Sequence, residues 1–81
     1  MLSVKKMIEI YITYGLDKAT WNMFYEMYCH ELVTKEAYNK FYDTCNDMRY
    51  NDDETKIIDG NGKILYEMND QGYMIKKGAK A

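Results

Sequence analysis

The sequence predicts an α+β fold, in which three amphipathic helices precede a two- or three-stranded antiparallel β-meander. Two observations lead to this expectation. Apolar residues recur with a helical period as far as about residue 49, and from residue 56 the apolar runs become short and are separated by glycine-containing turns. We expect helices at about 3–14, 17–32 and 34–49, strands at about 56–58, 63–68 and 73–76, and a frayed tail at 77–81.

The first helix has a start signal and a stop signal. Ser3 is a favourable N-cap residue, and Gly15 is placed to end the helix in a left-handed conformation. The residues between them form one apolar stripe with the spacing i, i+3, i+4, i+7, i+8: Val4, Met7, Ile8, Tyr11 and Ile12.

The second helix shows the strongest periodicity in the chain. Asp17 is its predicted N-cap, and Leu16 before the cap can pack on Trp21 as a hydrophobic staple. Met23 and Met27 lie on the flank of the stripe, where they can face another helix or a partner. The stripe itself consists of Trp21, Phe24, Tyr25, Tyr28, Cys29 and Leu32.

The third helix follows after a very short connection. Thr34 is its predicted N-cap, so the chain has to turn sharply around Val33 and Thr34. The stretch LVTKEAY resembles the turn of short helical hairpins in small phage and Gram-positive proteins, which implies helix packing and identifies no family. The apolar stripe of this helix consists of Tyr38, Phe41, Tyr42, Cys45 and Met48.

The pattern changes after Tyr50. Residues 51–54 form a polar, acidic linker, and residues 59–62 (DGNG) and 69–72 are predicted turns of the meander. The DGNG stretch also resembles part of a calcium loop. Aligning Gly62 with the invariant glycine of that loop puts Ile57 and Met68 at positions where carboxylates are required, so we interpret the stretch as a hairpin turn.

Length and composition indicate one small globular domain, residues 1–81, because two domains of half this size could not each hold a core. The chain has nine tyrosines against two phenylalanines, and tyrosine suits core margins and interfaces because its ring is apolar and its hydroxyl polar. The N-terminal apolar stretch is interrupted by Glu9 and is too short to span a membrane. With two cysteines and no secretion signal, the sequence predicts a cytoplasmic protein.

No residue pattern indicates catalysis, a metal site or a cofactor. Cys29 and Cys45 would differ in height by roughly 12 Å in an antiparallel helical hairpin, which is too far for a disulfide, so we interpret both as packing thiols. His30 is the only histidine, and the chain lacks the CxxC or HxxxH spacing of a zinc site. We expect a surface histidine near a helix end and a protein that is not an enzyme.

The sequence best fits a small module that binds another protein. The tyrosine and methionine excess supplies aromatic and flexible apolar surface, and acidic residues concentrate between residues 41 and 60. One use within this class is an accessory or inhibitor protein of a phage or mobile element that docks on a host protein, as the small, acidic, proline-free composition suggests. The predicted partner-binding residues are Met23, Tyr25, Met27, Asp43, Asp47, Asp52, Asp53 and Glu54.

Three alternatives remain open at the level of sequence. The order of three helices and a hairpin matches a winged-helix DNA-binding regulator, whose third helix would read DNA through Lys35, Asn39, Lys40 and Asn46. The net charge of −2 and the single arginine, Arg49, make nucleic acid the less favoured partner. Self-association as a homodimer through the apolar flank of the second helix and a subunit role are the others.

Overall fold

A computed structural model describes residues 2–77 and confirms the α+β arrangement, with four antiparallel strands instead of two or three. The chain divides into two compact units, which we call the helical unit (to residue 46) and the sheet unit (from residue 47); that it forms a single domain stays a prediction. The helices are α1 (Val4–Thr13), α2 (Lys18–Cys29) and α3 (Lys35–Cys45). The strands are β1 (Arg49–Tyr50), β2 (Lys56–Ile58), β3 (Ile64–Met68) and β4 (Met74–Lys76).

All three predicted N-caps are confirmed. The backbone of each cap residue is extended, and its side-chain oxygen accepts a hydrogen bond from the N–H three residues later, at 3.1 Å in each case. Each cap satisfies one of the backbone donors that a helix N-terminus leaves unpaired. The caps are Ser3, Asp17 and Thr34.

The C-termini of α1 and α2 share one geometry, the Schellman motif. After α1, Gly15 has a φ of 78° as predicted, and the Leu16 N–H donates to the Tyr11 carbonyl. After α2, Glu31 takes the same place with a φ of 61°. The second helix therefore ends at Cys29, and its predicted extension to residue 32 is wrong. Nothing in the sequence indicates this end, because the left-handed position is occupied by a glutamate and not by a glycine.

The core of the helical unit lies where the three helices meet, and every pair of helices is in contact. Phe41 of α3 is fully buried at its centre, and its ring lies against four other aromatic rings. Two of these contacts are edge-to-face, a geometry that ring quadrupoles favour, and the other two are tilted. The rings around Phe41 belong to Tyr11, Trp21, Phe24 and Tyr38.

The third helix is shorter than predicted: Asn46 is its C-cap, and the residues from Asp47 onward belong to the sheet unit. The Asp47 carboxylate accepts a hydrogen bond from the Gly60 N–H at 3.1 Å. Arg49 pairs with Ile58, and Tyr50 with Ile57, which forms the strand that the sequence did not predict. The predicted helix 34–49 and the predicted linker 51–54 are corrected to α3, β1 and a turn.

The sheet is a simple meander in the order β1-β2-β3-β4. Ile57 is fully buried, and its cross-strand partners Tyr50 and Tyr66 are half-buried on the same face. On the opposite face Lys56 lies across from Glu67. Apolar and charged side chains are not fully separated between the two faces, since Lys76 pairs with Tyr66 on the first face and Ile75 pairs with Glu67 on the second.

The three turns of the sheet unit repeat one device, in which the side chain of a leading Asn or Asp accepts two backbone N–H bonds. Asn51 accepts from residues 55 and 56, Asp59 from residues 61 and 63, and Asn69 from residues 71 and 73, at 2.8–3.0 Å. Three residues after the leading residue, the backbone φ is positive: Glu54 60°, Gly62 84° and Gly72 87°. Type I turns closed by a left-handed residue have this form.

Lys77, predicted as the first residue of a frayed tail, instead makes two contacts with β3. Its N–H donates to the Leu65 carbonyl at 2.8 Å, and its ammonium group pairs with the Glu67 carboxylate. The other residues of the predicted tail, 78–81, lie outside the described residues. Within the described chain, no helix combines the length and the apolar character that crossing a bilayer requires.

Candidate protein-binding face

Four tyrosines form a continuous surface on the helical unit, where α2 and α3 lie side by side. We call it the tyrosine face, and it consists of Tyr25, Tyr28, Tyr38 and Tyr42. The rings of Tyr28 and Tyr38 are stacked, with centroids 5.2 Å apart and planes 8° from parallel. The ring centroid of Tyr38 lies 5.9 Å from that of Tyr25 and 6.5 Å from that of Tyr42.

The tyrosine face is supported from below by the aromatic core. Tyr38 lies 6.4 Å from the buried Phe41, and Tyr42 lies edge-on to Trp21 at 5.5 Å. Tyr25 and Tyr42 nevertheless remain 52% and 46% exposed. Rings held by neighbours on one side and open to solvent on the other lose little conformational entropy when a partner covers them.

Tyr25 forms a local pair with Cys29, one helical turn further along α2. A hydrogen bond with the Cys29 side chain and the proximity of that thiol raise the pKa of Tyr25 above its ordinary value of 10.0, with smaller contributions from burial and the nearby tyrosines. The phenol of Tyr25 therefore stays protonated at neutral pH. Cys29 is free and exposed, which corrects its predicted place on a covered stripe, whereas Cys45 is free and buried as expected.

The predicted apolar partner-binding residues do not share one surface of α2. Met23 is 45% exposed and Met27 is half-buried. Met23 and Tyr25 are two positions apart, so their side chains leave the helix roughly 160° apart. The structure thus places Tyr25 on the flank that adjoins α3, and Met23 and Met27 toward the other flank.

The predicted acidic residues are also divided. Asp43 is exposed on α3, while the other four belong to the sheet unit. Asp47 is committed to the Gly60 N–H, and a side chain at position 60 would approach its Oδ2 atom to 3.2 Å. The remaining three, Asp52, Asp53 and Glu54, are exposed in the β1–β2 turn.

The residues predicted to read DNA are all exposed, but carboxylates lie among them. Lys35, Asn39 and Asn46 fall within roughly 40° of one another around α3, beside the tyrosine face. Lys40 lies on the far side of Glu36 and Asp43, which occupy the middle of the exposed surface of this helix. A phosphate backbone would be repelled by these two carboxylates.

A shallow groove of about 420 Å³ adjoins Tyr42 at the side of the helical unit. Its aromatic lining comes from Tyr11, Trp21 and Tyr42, and its polar lining from Lys18, Asn22 and Asn46. A second depression of about 450 Å³ lies at the α2–α3 connection, beside Tyr28, Glu31 and Lys35. Among residues 2–77, no three side chains of His, Cys, Asp or Glu are placed together so that they could hold a metal ion.

Sequence reasoning placed all four tyrosines on the apolar stripes of the second and third helices and named only Tyr25 as a partner-binding residue. A helical period shows which residues share a side of a helix and does not show how far a neighbouring helix covers that side. The tyrosine excess was the available signal, since a stripe rich in tyrosine rather than leucine is suited to a partly solvated margin.

Comparison with known proteins yields no relationship for this chain: it matches no protein-family model, and no curated protein or solved structure is significantly similar to it.

Proposed function

We propose that the protein is a non-enzymatic interaction module that binds another protein through the tyrosine face. One observation carries this proposal: ring contacts hold Tyr25 and Tyr42 in place while leaving each of them about half exposed. Tyrosine and tryptophan are enriched among the residues that dominate protein–protein binding energy. The four side chains that form the proposed interface are all tyrosines, and the centres of protein–protein interfaces are usually enriched in aromatic residues and depleted in charged ones.

The exposed carboxylates of the sheet unit contribute electrostatic steering in this proposal. Asp52, Asp53 and Glu54 are adjacent in one turn and have no cation among their immediate neighbours until Lys56. A basic partner would be attracted to such a group, and the attraction would weaken as salt is added. Replacing all three with lysine should slow association and flatten its salt dependence, and unchanged kinetics would show that the turn has no part in binding.

The use of such a module as an accessory or inhibitor protein of a phage or mobile element is supported by composition alone. A cytoplasmic location is likewise a proposal, and it is supported by the two free cysteines and the sequence pattern.

Self-association through the flank of α2 is a further proposal within the interaction class. Sedimentation velocity of Met23→Ala and Met27→Ala variants tests it, because both residues lie on this flank and a dimer that uses it would dissociate.

The tyrosine face is tested by quantitative affinity capture from lysate with matched variants. Tyr25→Ala should reduce capture of a discrete protein partner about tenfold or more, as loss of an interface hot spot does. Tyr14→Ala is the control, since Tyr14 is 68% exposed in the same unit and has no part in the ring contacts of the tyrosine face. Equal capture by the two variants would exclude the tyrosine face as the interface.

A parallel sample treated with nuclease distinguishes protein binding from the alternative function, winged-helix DNA binding. If every captured protein disappears after nuclease treatment, nucleic acid mediates the association. The winged-helix proposal is then favoured, with DNA read by Lys35, Asn39, Lys40 and Asn46. A partner that survives nuclease and depends on Tyr25 supports the interaction module.

A further inference from the structure

The groove beside Trp21 contains three polar side chains that the fold itself does not use. The ammonium group of Lys18 and the amides of Asn22 and Asn46 line the groove, and none of them makes a hydrogen bond or ion pair within residues 2–77. Their position around exposed parts of Trp21 and Tyr42 gives an aromatic surface with polar groups at its margin. Small-molecule sites typically have this composition and a volume of roughly 300–1,000 Å³, which includes the 420 Å³ of this groove.

The charge of the groove favours an anionic ligand. Lys18 is the only lysine, arginine, aspartate or glutamate among the lining residues. Asp17, Asp43 and Asp47 each adjoin a lining residue in the chain, but none of them lines the groove. Asp17 is engaged as the α2 N-cap and accepts bonds from the Thr20 N–H and hydroxyl groups. Lys18 is also the first residue of α2, so the positive end of the helix dipole adds to its attraction for an anion.

The aromatic rings and the side-chain amides that line the groove indicate which anionic ligand it can bind. An indole and a phenol offer surfaces against which a flat heterocycle can stack, and stacking of a base on an aromatic side chain contributes about 1–3 kcal/mol. A side-chain amide donates and accepts hydrogen bonds side by side, which matches the edge of a nucleobase, adenine in particular. One lysine can then neutralise the attached phosphate.

We infer that this groove binds a nucleotide unit, with the base against Trp21 and Tyr42, its edge toward Asn22 or Asn46, and the phosphate at Lys18. This site is separate from the proposed protein interface, apart from Tyr42, which borders both. The second depression lacks the same chemistry, because Glu31 lines it together with Lys35 and would repel a phosphate. Either a free nucleotide or an unpaired nucleotide of a single strand offers the required chemistry.

Trp21 provides the measurement, because it is the only tryptophan in the chain. Its indole N–H gives a single proton–nitrogen NMR signal, and its fluorescence can be excited apart from that of the tyrosines. We expect AMP to shift the indole signal and the Asn22 and Asn46 amide signals saturably. Adenosine, which lacks the phosphate, should bind about tenfold more weakly, as expected for loss of a charge-assisted contact.

Two groove variants and two controls make the inference falsifiable. Lys18→Gln and Asn22→Ala should each weaken AMP binding several-fold, whereas Lys5→Gln and Asn61→Ala, two exposed positions outside the groove, should not change it. Circular dichroism confirms that each variant is folded. The inference is overturned if AMP causes no saturable shift at millimolar concentration, if inorganic phosphate reproduces the shifts, or if both groove variants bind as well as the unchanged protein.

A short single-stranded oligo(dA) distinguishes the two sources of the ligand. Binding much tighter than that of AMP would identify a strand, and equal binding would identify a free nucleotide. Failure of this inference leaves the protein-binding proposal intact, because Tyr25→Ala tests the tyrosine face without changing a residue that lines the groove.

Discussion

The helical unit and the sheet unit are stabilised by different chemistry. In the helical unit, rings from all three helices pack on the fully buried Phe41, with centroid distances of 4.7–6.4 Å. In the sheet unit, three Asn or Asp side chains each bind two backbone N–H groups, and a left-handed residue closes each turn. The first unit therefore depends on side-chain volume, and the second on backbone conformation at particular positions.

This difference predicts which substitutions each unit tolerates. A packed ring can be replaced only by a group of similar size, because the surrounding structure fills a cavity incompletely. A turn position tolerates any side chain that fits its φ and ψ angles, and responds strongly to a change between glycine and other residues. Substitutions at Phe41 and at Glu54 test the two halves of this comparison.

The largest effect is expected at Phe41. Phe41→Ala should lower the free energy of unfolding by about 3–5 kcal/mol, because it removes the ring on which four others pack. Losses of this size approach the whole stability of a small domain, so the helical circular dichroism signal should decrease sharply at 25 °C.

Phe41→Leu serves as the matched control for volume, with an expected cost of less than about 1.5 kcal/mol. Urea denaturation of both variants measures the difference. If the alanine and leucine variants unfold at the same urea concentration, the side-chain volume at position 41 is not what stabilises the helical unit.

The intermediate effect is expected at Glu54, the one non-glycine residue among the three left-handed turn positions. Glu54→Gly should raise the free energy of unfolding by about 0.5–1 kcal/mol, because it relieves the strain of a Cβ atom in that conformation. Gly62→Ala should lower it by a similar amount. Asp53→Gly is the control, since its backbone is not left-handed and glycine there only increases the freedom of the unfolded chain.

Tyr50 reports independently on the same turn. Burial raises the pKa of Tyr50 above 10.0, and the Glu54 carboxylate raises it further. Glu54→Gln should therefore lower the Tyr50 pKa, measured by NMR titration, while leaving the backbone strain in place. If Glu54→Gly and Glu54→Gln change stability equally, charge rather than conformation accounts for the effect.

The same distinction explains what could be predicted from the sequence. The N-caps Ser3, Asp17 and Thr34 were found because each acts on its own next few residues. The end of α1 was found because Gly15 marks the left-handed position. The end of α2 was missed because Glu31 takes that position, and β1 was missed because Glu54 takes it in the adjoining turn.

The candidate site could be predicted only in part. Tyr25 was predicted as a partner-binding residue, and the structure shows it exposed. Its grouping with Tyr28, Tyr38 and Tyr42 in one surface depends on how far α2 and α3 cover each other. The groove beside Trp21 brings together residues from all three helices and the segment after α1, a placement that no local spacing encodes. Asp47 was assigned to a partner surface and instead binds the Gly60 N–H, a contact between residues thirteen positions apart.

The smallest effect is expected at Glu67, where the sheet unit has an exposed ion pair rather than a turn contact. The Lys77 ammonium, which donates a hydrogen bond to the Glu67 carboxylate, holds its pKa below the ordinary value of 4.5. Because the folded pKa is depressed, the pair stabilises the protein above pH 4.5, and this contribution is lost as pH falls through the folded pKa.

Lys77→Gln should raise the Glu67 pKa, measured by NMR of the side-chain carboxyl. The variant should be less stable than the unchanged protein at neutral pH, and the two should be equally stable at low pH, where the Glu67 carboxyl is protonated. Lys76→Gln is the control, since Lys76 makes no ion pair within residues 2–77 and points to the other face of β4 from its neighbour Ile75. Equal changes of the Glu67 pKa in the two variants would mean that Glu67 responds to the general positive charge at this end of the sheet. The contrast between side-chain volume in the helical unit and backbone conformation in the sheet unit would then hold without any contribution from a specific ion pair.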